Sequence, residues 1–518
     1  MTSAPRPGAA VGTLIWPALL AEPLAQVAAG IAASSEAPGD AALVEMHLAA
    51  LAGRLMHPGG WVAGARHAGA EPIWTGRSRP YDESTLRKEA RELAQQGGTD
   101  LLARAVEATV ERAVAESGAK AVAYTDMFDQ VYWTKEPSHA APIANRGNRL
   151  LAATYFGLTF VQPEKGPALA YHVSWHKPAS PLQDGLEALY AAPRRAVWLS
   201  AETRLHIWDR GGSGCPTLHW ALRRRIPYLT VSRKSTHWTR FRRPPRVHTR
   251  SRIPVFVRRD VQAAKGCPKD SQPEEVIFPA QPRKGRASTR ALRYRTGAPL
   301  RKTELRQLDR VYKSRWPSNE NAIKALVAVG FDRNLDRGLT PTTSRGTDGR
   351  LARLQDKEQR LHDKIEAFKP TTLRQAIRGA RPLFRQKEAC AKERAEIAAI
   401  PKNKGARMPT GAELLCKNLA LLMYNALALV LMQSVLEEVR AMTPWRVQEL
   451  LFARSFLACL SKRKTVLWID PVPSPAEHIL QEELVRLFNE RSLSLRGQHL
   501  HLRIRDPPAE TRPLRFSG

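Results

Sequence analysis

The 518-residue chain carries 81 Lys and Arg against 49 Asp and Glu, a formal net charge of +32, and its 43% apolar content is ordinary for a globular protein of several domains. Such an excess of cations points to a polyanionic partner, because neutralising phosphates releases counterions and supplies affinity that does not depend on sequence. Its five cysteines, Cys215, Cys267, Cys390, Cys416 and Cys459, include no C-x-x-C pair, which argues against a zinc ribbon or a disulfide framework and fits a reducing cytoplasm.

In chain order, the apolar stretch from Val11 to Ala33 holds Pro17, Glu22 and Pro23 and lacks a basic leader, so it makes a poor signal peptide. A helix is expected around Asp40 to Met56, where Leu43, Met46, Leu48, Leu51 and Leu55 follow a roughly helical period. Asp82 or Ser84 then caps another, and a third runs from about Thr99 to Ser117. This helical region, 1–118, reads equally as a DNA-binding module or a scaffold.

From Lys120 the pattern changes to strands, at 119–126, within Leu150 to Val161 and at Ala168 to Trp175. A helix at Leu182 to Ala192, a strand at 204–209, a short helix at Leu218 to Arg224 and a strand at Ile226 to Val231 complete an α/β order with one central sheet over 119–232. Residues 233–302 read as a basic, β-rich insertion with strands near Ile253 to Val257, Glu275 to Phe278 and Leu292 to Arg295. Arg240, Arg242, Arg243 and Arg246 interleave there with Trp238, a pattern suited either to tracking a phosphate backbone and stacking bases or to a solvated basic loop.

Residues 303–340 are expected to hold a helix with Glu320, and 341–410 a linker and a charged helical hairpin whose Leu351, Leu354, Leu361, Ile365 and Phe368 fall at a and d spacings. In the C-terminal segment, 411–518, the run Asn418 to Leu436 is long enough to span a bilayer. Its polar stripe of Asn418, Asn425 and Gln433 instead marks a helix buried in protein. A helix at Pro444 to Leu460, a strand at Thr465 to Ile469, a helix at Pro475 to Glu490 and a strand at Gln498 to Ile504 follow.

Three acids stand out. Asp126 ends the run Ala121-Val-Ala-Tyr-Thr-Asp126, Asp209 ends Arg204-Leu-His-Ile-Trp-Asp209 just before Arg210-Gly-Gly, and Glu320 lies in a helix-like segment. Asp129, three residues after Asp126, is expected past its strand. In-line displacement at a phosphodiester needs an activated oxygen nucleophile, a stabilised leaving oxygen and charge neutralisation, which two divalent ions about 4 Å apart supply. Carboxylate oxygens without a His/Cys cluster favour magnesium or manganese over zinc.

On Tyr124-Thr-Asp126, Trp208-Asp209-Arg210-Gly211 and Tyr312, Arg315, Glu320 and Lys324, roughly residues 80–340 resemble the DDE-type transposases of bacterial insertion sequences, in the branch with a β-strand insertion between the second Asp and the Glu. The resemblance implies a ribonuclease-H-like mixed sheet flanked by helices, with a β-rich insertion and added helical N- and C-terminal segments. It implies that Asp126, Asp209 and Glu320 bind Mg2+, with Mn2+ able to substitute, and that Arg210, Tyr312, Arg315 and Lys324 contact DNA. That branch usually reads Tyr-x2-Arg-x3-Glu-x6-Lys, whereas here Asn319 holds the Glu position, the acid comes one residue later and the Lys only four residues after it. The implied function is cleavage and strand transfer at element ends, in the bacterial cytoplasm at the nucleoid, by a homodimer and without a membrane. The alternatives are an inactive transposase-derived DNA-binding protein and a nuclease of the same fold.

Overall fold

A computed structural model describes residues 2–3, 11–34, 40–55, 71–75, 77, 79–132, 142–146, 149–176, 180–231, 236–237, 256–258, 274–279, 290–297, 308, 310–314, 320–331, 340–341, 346–368, 373–398, 407–408, 410–460, 464–495 and 497–505. The chain opens with helices α1 (Gly12–Leu19), α2 (Ala21–Ser34), α3 (Ala41–Leu55), α4 (Glu71–Thr75), α5 (Glu83–Gln95) and α6 (Gly98–Ser117). Where one helix was expected before residue 80, the described residues hold four. α1 is apolar nearly throughout and α2 is rich in Ala, so neither shows the polar face that makes a helix legible. α1 and α2 meet at 65° across Leu20 and bury Leu14, Ile15, Trp16, Leu24 and Ile31 inside the protein. Asp82 does cap α5, accepting the Thr85 N–H at 2.9 Å, and α6 is bounded by Gly97 and Gly118, both with positive φ.

Among the described residues the central sheet has ten strands. Its main members are β1 (Ala121–Tyr132), β2 (Pro142–Arg146), β3 (Arg149–Gln162) and β4 (Leu169–His176), then, after helices α7 (Leu182–Ala191) and α8 (Pro193–Glu202), β5 (Thr203–Trp208). Helix α9 (Cys215–Arg223) leads to β6 (Tyr228–Val231), followed by β7 (Phe256–Arg258), β8 (Glu274–Pro279) and β9 (Arg290–Thr296). The order is β2-β3-β1-β5-β6-β9-β8-β7, with β4 also on β3. β5 is parallel to β1 and to β6, whereas β3 is antiparallel to both β1 and β4.

One expectation is corrected here. β1 does not end at Asp126 but runs six residues further, through Asp129, because β3 pairs with it as far as Tyr132. The described strands of 233–302 extend the same sheet, β9 pairing antiparallel with β6. α8 was also not anticipated; Pro193 in its first turn supplies a ready helical φ.

After the sheet, the segment expected to hold the Glu320 helix is helical at 310–313 and in α10 (Asn321–Ala328), with 315–319 outside the described residues. Helices α11 (Gly346–Glu366) and α12 (Leu373–Ala398) form the hairpin around Leu354, Leu361 and Cys390. Thr340–Pro341 pairs with Arg407–Met408 at its base, so the supposed linkers contribute a strand pair and the first turn of α11. Helix α13 (Gly411–Leu431) lies in the core. Two of its three stripe residues bond to protein: the Asn425 side chain bonds both the N–H and the C=O of Ala170 on β4, at 2.7 and 2.8 Å, and Asn418 donates to the Thr99 carbonyl, whereas Gln433 lies past the helix end and is exposed.

The C-terminal segment differs from expectation at 444–460. It is helical only to Phe452, and Phe456–Leu460 is strand β10. Short apolar runs do not reveal their period, and here pairing with β11 (Lys464–Ile469) decides the outcome. Helix α14 (Pro475–Glu490) crosses over to β12 (Gln498–Ile504), parallel to β11. Thr2–Ser3 pairs with the other edge of β10.

The N-terminal helices are clamped by a buried ion pair. Arg54 Nε and Nη2 donate to the two Glu71 carboxylate oxygens at 2.9 and 3.0 Å, Arg54 also donates to the Tyr81 carbonyl, and Tyr81 N–H donates to Glu71 at 2.9 Å. Arg54→Ala leaves Glu71 buried without its partner and is expected to cost about 3–5 kcal/mol. Urea unfolding measures it, and a loss below about 1 kcal/mol contradicts the clamp.

Candidate active site

The site is fixed by the register of β1 against β5. Val122 pairs with Leu205, Tyr124 with Ile207 and Thr125 with Trp208, in parallel. Side chains alternate along a strand, so Val122, Tyr124, Leu205 and Ile207 face one hydrophobic core together with Phe156, Leu158 and Phe160 of β3. The opposite face, through Trp208 and Tyr228, packs on Leu182 and Leu186 of α7 and Leu218 of α9. Asp126 and Asp209 each come one residue after the last pair. They therefore emerge side by side on the same face, where neighbouring strands lie about 5 Å apart. Both are half-buried. Asp126 is flanked on its other side by Leu158 of β3.

The chain around Asp209 explains why the strand stops there. The Asp209 carbonyl accepts the Thr230 hydroxyl at 3.1 Å and the Gly212 N–H at 2.9 Å, and Trp208 Nε1 donates to the Gly212 carbonyl. A Cβ at Gly212 would lie 2.6 Å from the Trp208 ring and 2.8 Å from Leu182, which is closer than carbon atoms pack. Arg295 of β9 donates to the Ser213 carbonyl at 2.9 Å. Arg-Gly-Gly thus makes a tight turn that holds Asp209 at the sheet edge while β1 continues past it.

Glu320 belongs to a segment that crosses this face. Before it, Ser314 is 3.2 Å from the Tyr124 hydroxyl, and after it, the Phe331 ring stands 5.8 Å from Phe128 and 5.9 Å from Phe156. Tyr124 and Phe128 are the residues on either side of Asp126 on its own face. Lys417 of α13 holds the far end, donating to the Phe331 carbonyl and pairing with Glu413 at 2.8 Å, all buried. Within α10, Ala322 and Leu326 are buried while Glu320, half-buried, and Lys324, exposed, share the other flank one turn apart. The three acids are not drawn into one closed cluster: among the described residues no group of three or more His, Cys, Asp or Glu is placed to hold a metal ion. Of the expected DNA contacts, Arg210 and Lys324 are exposed, and Tyr312 is half-buried with its ring edge-on to Tyr294. Arg315, Trp238, Arg240, Arg242, Arg243 and Arg246 lie outside the described residues, as does Asn319.

Behind the two aspartates runs a buried polar chain that the sequence reading missed. Thr125 Oγ1 is 2.8 Å from Thr159 Oγ1 and 2.7 Å from His206 Nε2, and His206 Nδ1 is 3.1 Å from the Tyr190 hydroxyl. Thr125 immediately precedes Asp126, and His206 stands three residues before Asp209. The lone histidine within Leu-His-Ile-Trp was the available signal. Burial keeps His206 neutral, pushing its pKa from 6.5 down to about 3. Between those values the unfolded chain binds the extra proton, so the stabilisation is complete above about pH 6.5 and is lost as pH falls toward 3. The melting temperature should fall from pH 7 to pH 4.5, and His206→Asn should flatten that slope, His172 and His176 supplying the remainder since burial lowers their pKa values too. Equal slopes in the two proteins contradict a neutral, buried His206.

No family model matches the chain, and no match emerges from a search of curated proteins.

Proposed function

We propose that the chain is a DNA transposase with a ribonuclease-H-like catalytic core, cutting and joining DNA at the Asp126–Asp209 edge. The observation that carries this reading is the parallel register of β1 and β5, in which Asp126 and Asp209 each follow the last pair, Thr125 with Trp208. The topology supports it: β1, β3, β4, β5 and β6 stand in the order β4-β3-β1-β5-β6, with the first three antiparallel in turn and the last two parallel to β1. Numbered by position in the core this order is 3-2-1-4-5, which supports reading the sheet as ribonuclease-H-like. The net charge of +32 supports a polyanionic substrate.

Two half-buried carboxylates are acceptor-only oxygen donors, the kind that hard divalent cations take. Asp126 and Asp209 would hold Mg2+ or Mn2+, with Glu320 as the third donor. Such an ion supplies Lewis-acid stabilisation of the phosphate and a more acidic bound water. The chain's own cations do the rest: Arg210 beside Asp209 and Lys324 beside Glu320 bind phosphates flanking the scissile bond. In the first step water attacks the phosphorus, breaking the bond to the 3′ oxygen, which leaves as a hydroxyl. In the second, that 3′ hydroxyl attacks a target phosphodiester and a target 3′ oxygen leaves. Two ends must be held together for joining, which suits a homodimer.

A second reading, a transposase-derived DNA-binding protein without catalysis, is favoured by the absence of a three-acid cluster among the described residues. Cleavage of DNA bearing the sequences that flank the gene, with Mg2+ or Mn2+, separates the two. Asp126→Asn and Asp209→Asn should each lower the rate on the order of 10^3-fold or more, since the ion's contribution is several kcal/mol. DNA binding in EDTA should stay within about twofold. Glu320→Ala should abolish cleavage and Asn319→Ala should not. Cleavage by either Asp variant at the parent rate overturns the proposal, and binding without any cleavage by the parent selects the second reading.

A further inference from the structure

Among the described residues, the C-terminal sheet buries one face and leaves Lys464, His499 and Arg503 exposed on the other. Thr465, Leu467 and Ile469 of β11 and Leu500 and Leu502 of β12 point inward, and the sheet packs on α14. Alternation sends Lys464, Val466 and Trp468, with His499, His501 and Arg503, to the opposite side. The parallel register pairs them as Lys464 with His499, Val466 with His501 and Trp468 with Arg503. Lys464, His499 and Arg503 are exposed, and Trp468 is half-buried. Arg503 lies over the Trp468 ring, 5.4 Å from its centre. None of these six residues is acidic, and the nearby Asp470 is neutralised by Arg505 at 3.0 Å.

We propose that this face is a binding platform for single-stranded DNA. The half-buried indole, with the Arg503 guanidinium over it, presents a flat stacking surface set among cations. The residues around it select its partner. Arg503 lies directly opposite the indole and Lys464 four residues along β11 from it, suited to successive backbone phosphates, while the indole and the guanidinium plane offer stacking surfaces to bases. A protein partner would more often be met by an apolar patch, and this face offers one aromatic among cations. The platform is independent of the carboxylate pair and rests on the transposase reading only in choosing DNA over RNA.

The test is equilibrium binding of the whole chain in EDTA to a fluorescent oligo(dT), the matching oligo(rU) and a duplex of the same length. Trp468→Ala should weaken oligo(dT) binding by about 5- to 100-fold, with Trp468→Phe largely restoring it and duplex affinity changed by less than about twofold. Lys464→Ala and Arg503→Ala should each reduce the log-log salt slope for oligo(dT) by about 0.7. An unchanged oligo(dT) affinity in Trp468→Ala overturns the platform, given a melting temperature equal to the parent's. If Trp468→Ala melts lower, the Lys464→Ala slope decides in its place, and an unchanged slope overturns the platform. A tenfold or greater preference for oligo(rU) overturns the choice of DNA. Because no divalent ion is present, the result does not depend on whether the chain cleaves.

Discussion

The architecture depends on the parallel pairing of Tyr124 with Ile207 and Thr125 with Trp208. Both strands are covered on both faces, so a slip of one residue would send Tyr124 and Ile207 toward α7 and α9 and Thr125 and His206 into the apolar core. That penalty fixes the register and with it the placing of the two aspartates. The site exists because β5 ends at Trp208 while β1 continues to Tyr132. Asp126 thereby loses a strand neighbour on one side and gains Asp209 in its place.

Buried polar groups give this frame its specificity. An unpaired buried donor or acceptor costs about 1–3 kcal/mol, so each network permits one arrangement. Asn425 reads the backbone of β4 through both its amide atoms, tying α13 to the sheet in one register. Thr125, Thr159, His206 and Tyr190 cross three strands and reach α7 directly behind the acids. Lys417 and Glu413 secure the chain that leaves α10. The helix carrying Glu320 is thus anchored near both ends, and its acid is set by those anchors more than by helical spacing.

Much of the central order was legible in the sequence, because β1, β3, β4 and β5 are apolar runs bounded by turn residues, and the polar stripe of α13 showed at helical spacing. The extent of β1 was not legible, since Met127 to Tyr132 mixes polar and apolar residues and only pairing with β3 makes it strand. α1 and α2 were hidden because one is apolar nearly throughout and the other rich in Ala, and their burial comes from partners distant in sequence. The pairing of β9 with β6 is likewise a long-range contact that local pattern does not encode. Asp209 could be singled out from strand-end logic, whereas Asp126 lies within its strand, and His206 and Thr125 could be recognised only once two strands were laid side by side. Glu320 was found by its segment, and its relation to the pair is a matter of how that segment is held.

The central claim is that Asp126 and Asp209 together form a divalent-ion site. Anomalous scattering from crystals of the chain soaked in Mn2+ tests it most directly. The account predicts a manganese peak with oxygen ligands from both carboxylates at about 2.0–2.3 Å. No peak there at millimolar Mn2+, or a peak bound by other residues alone, would contradict it.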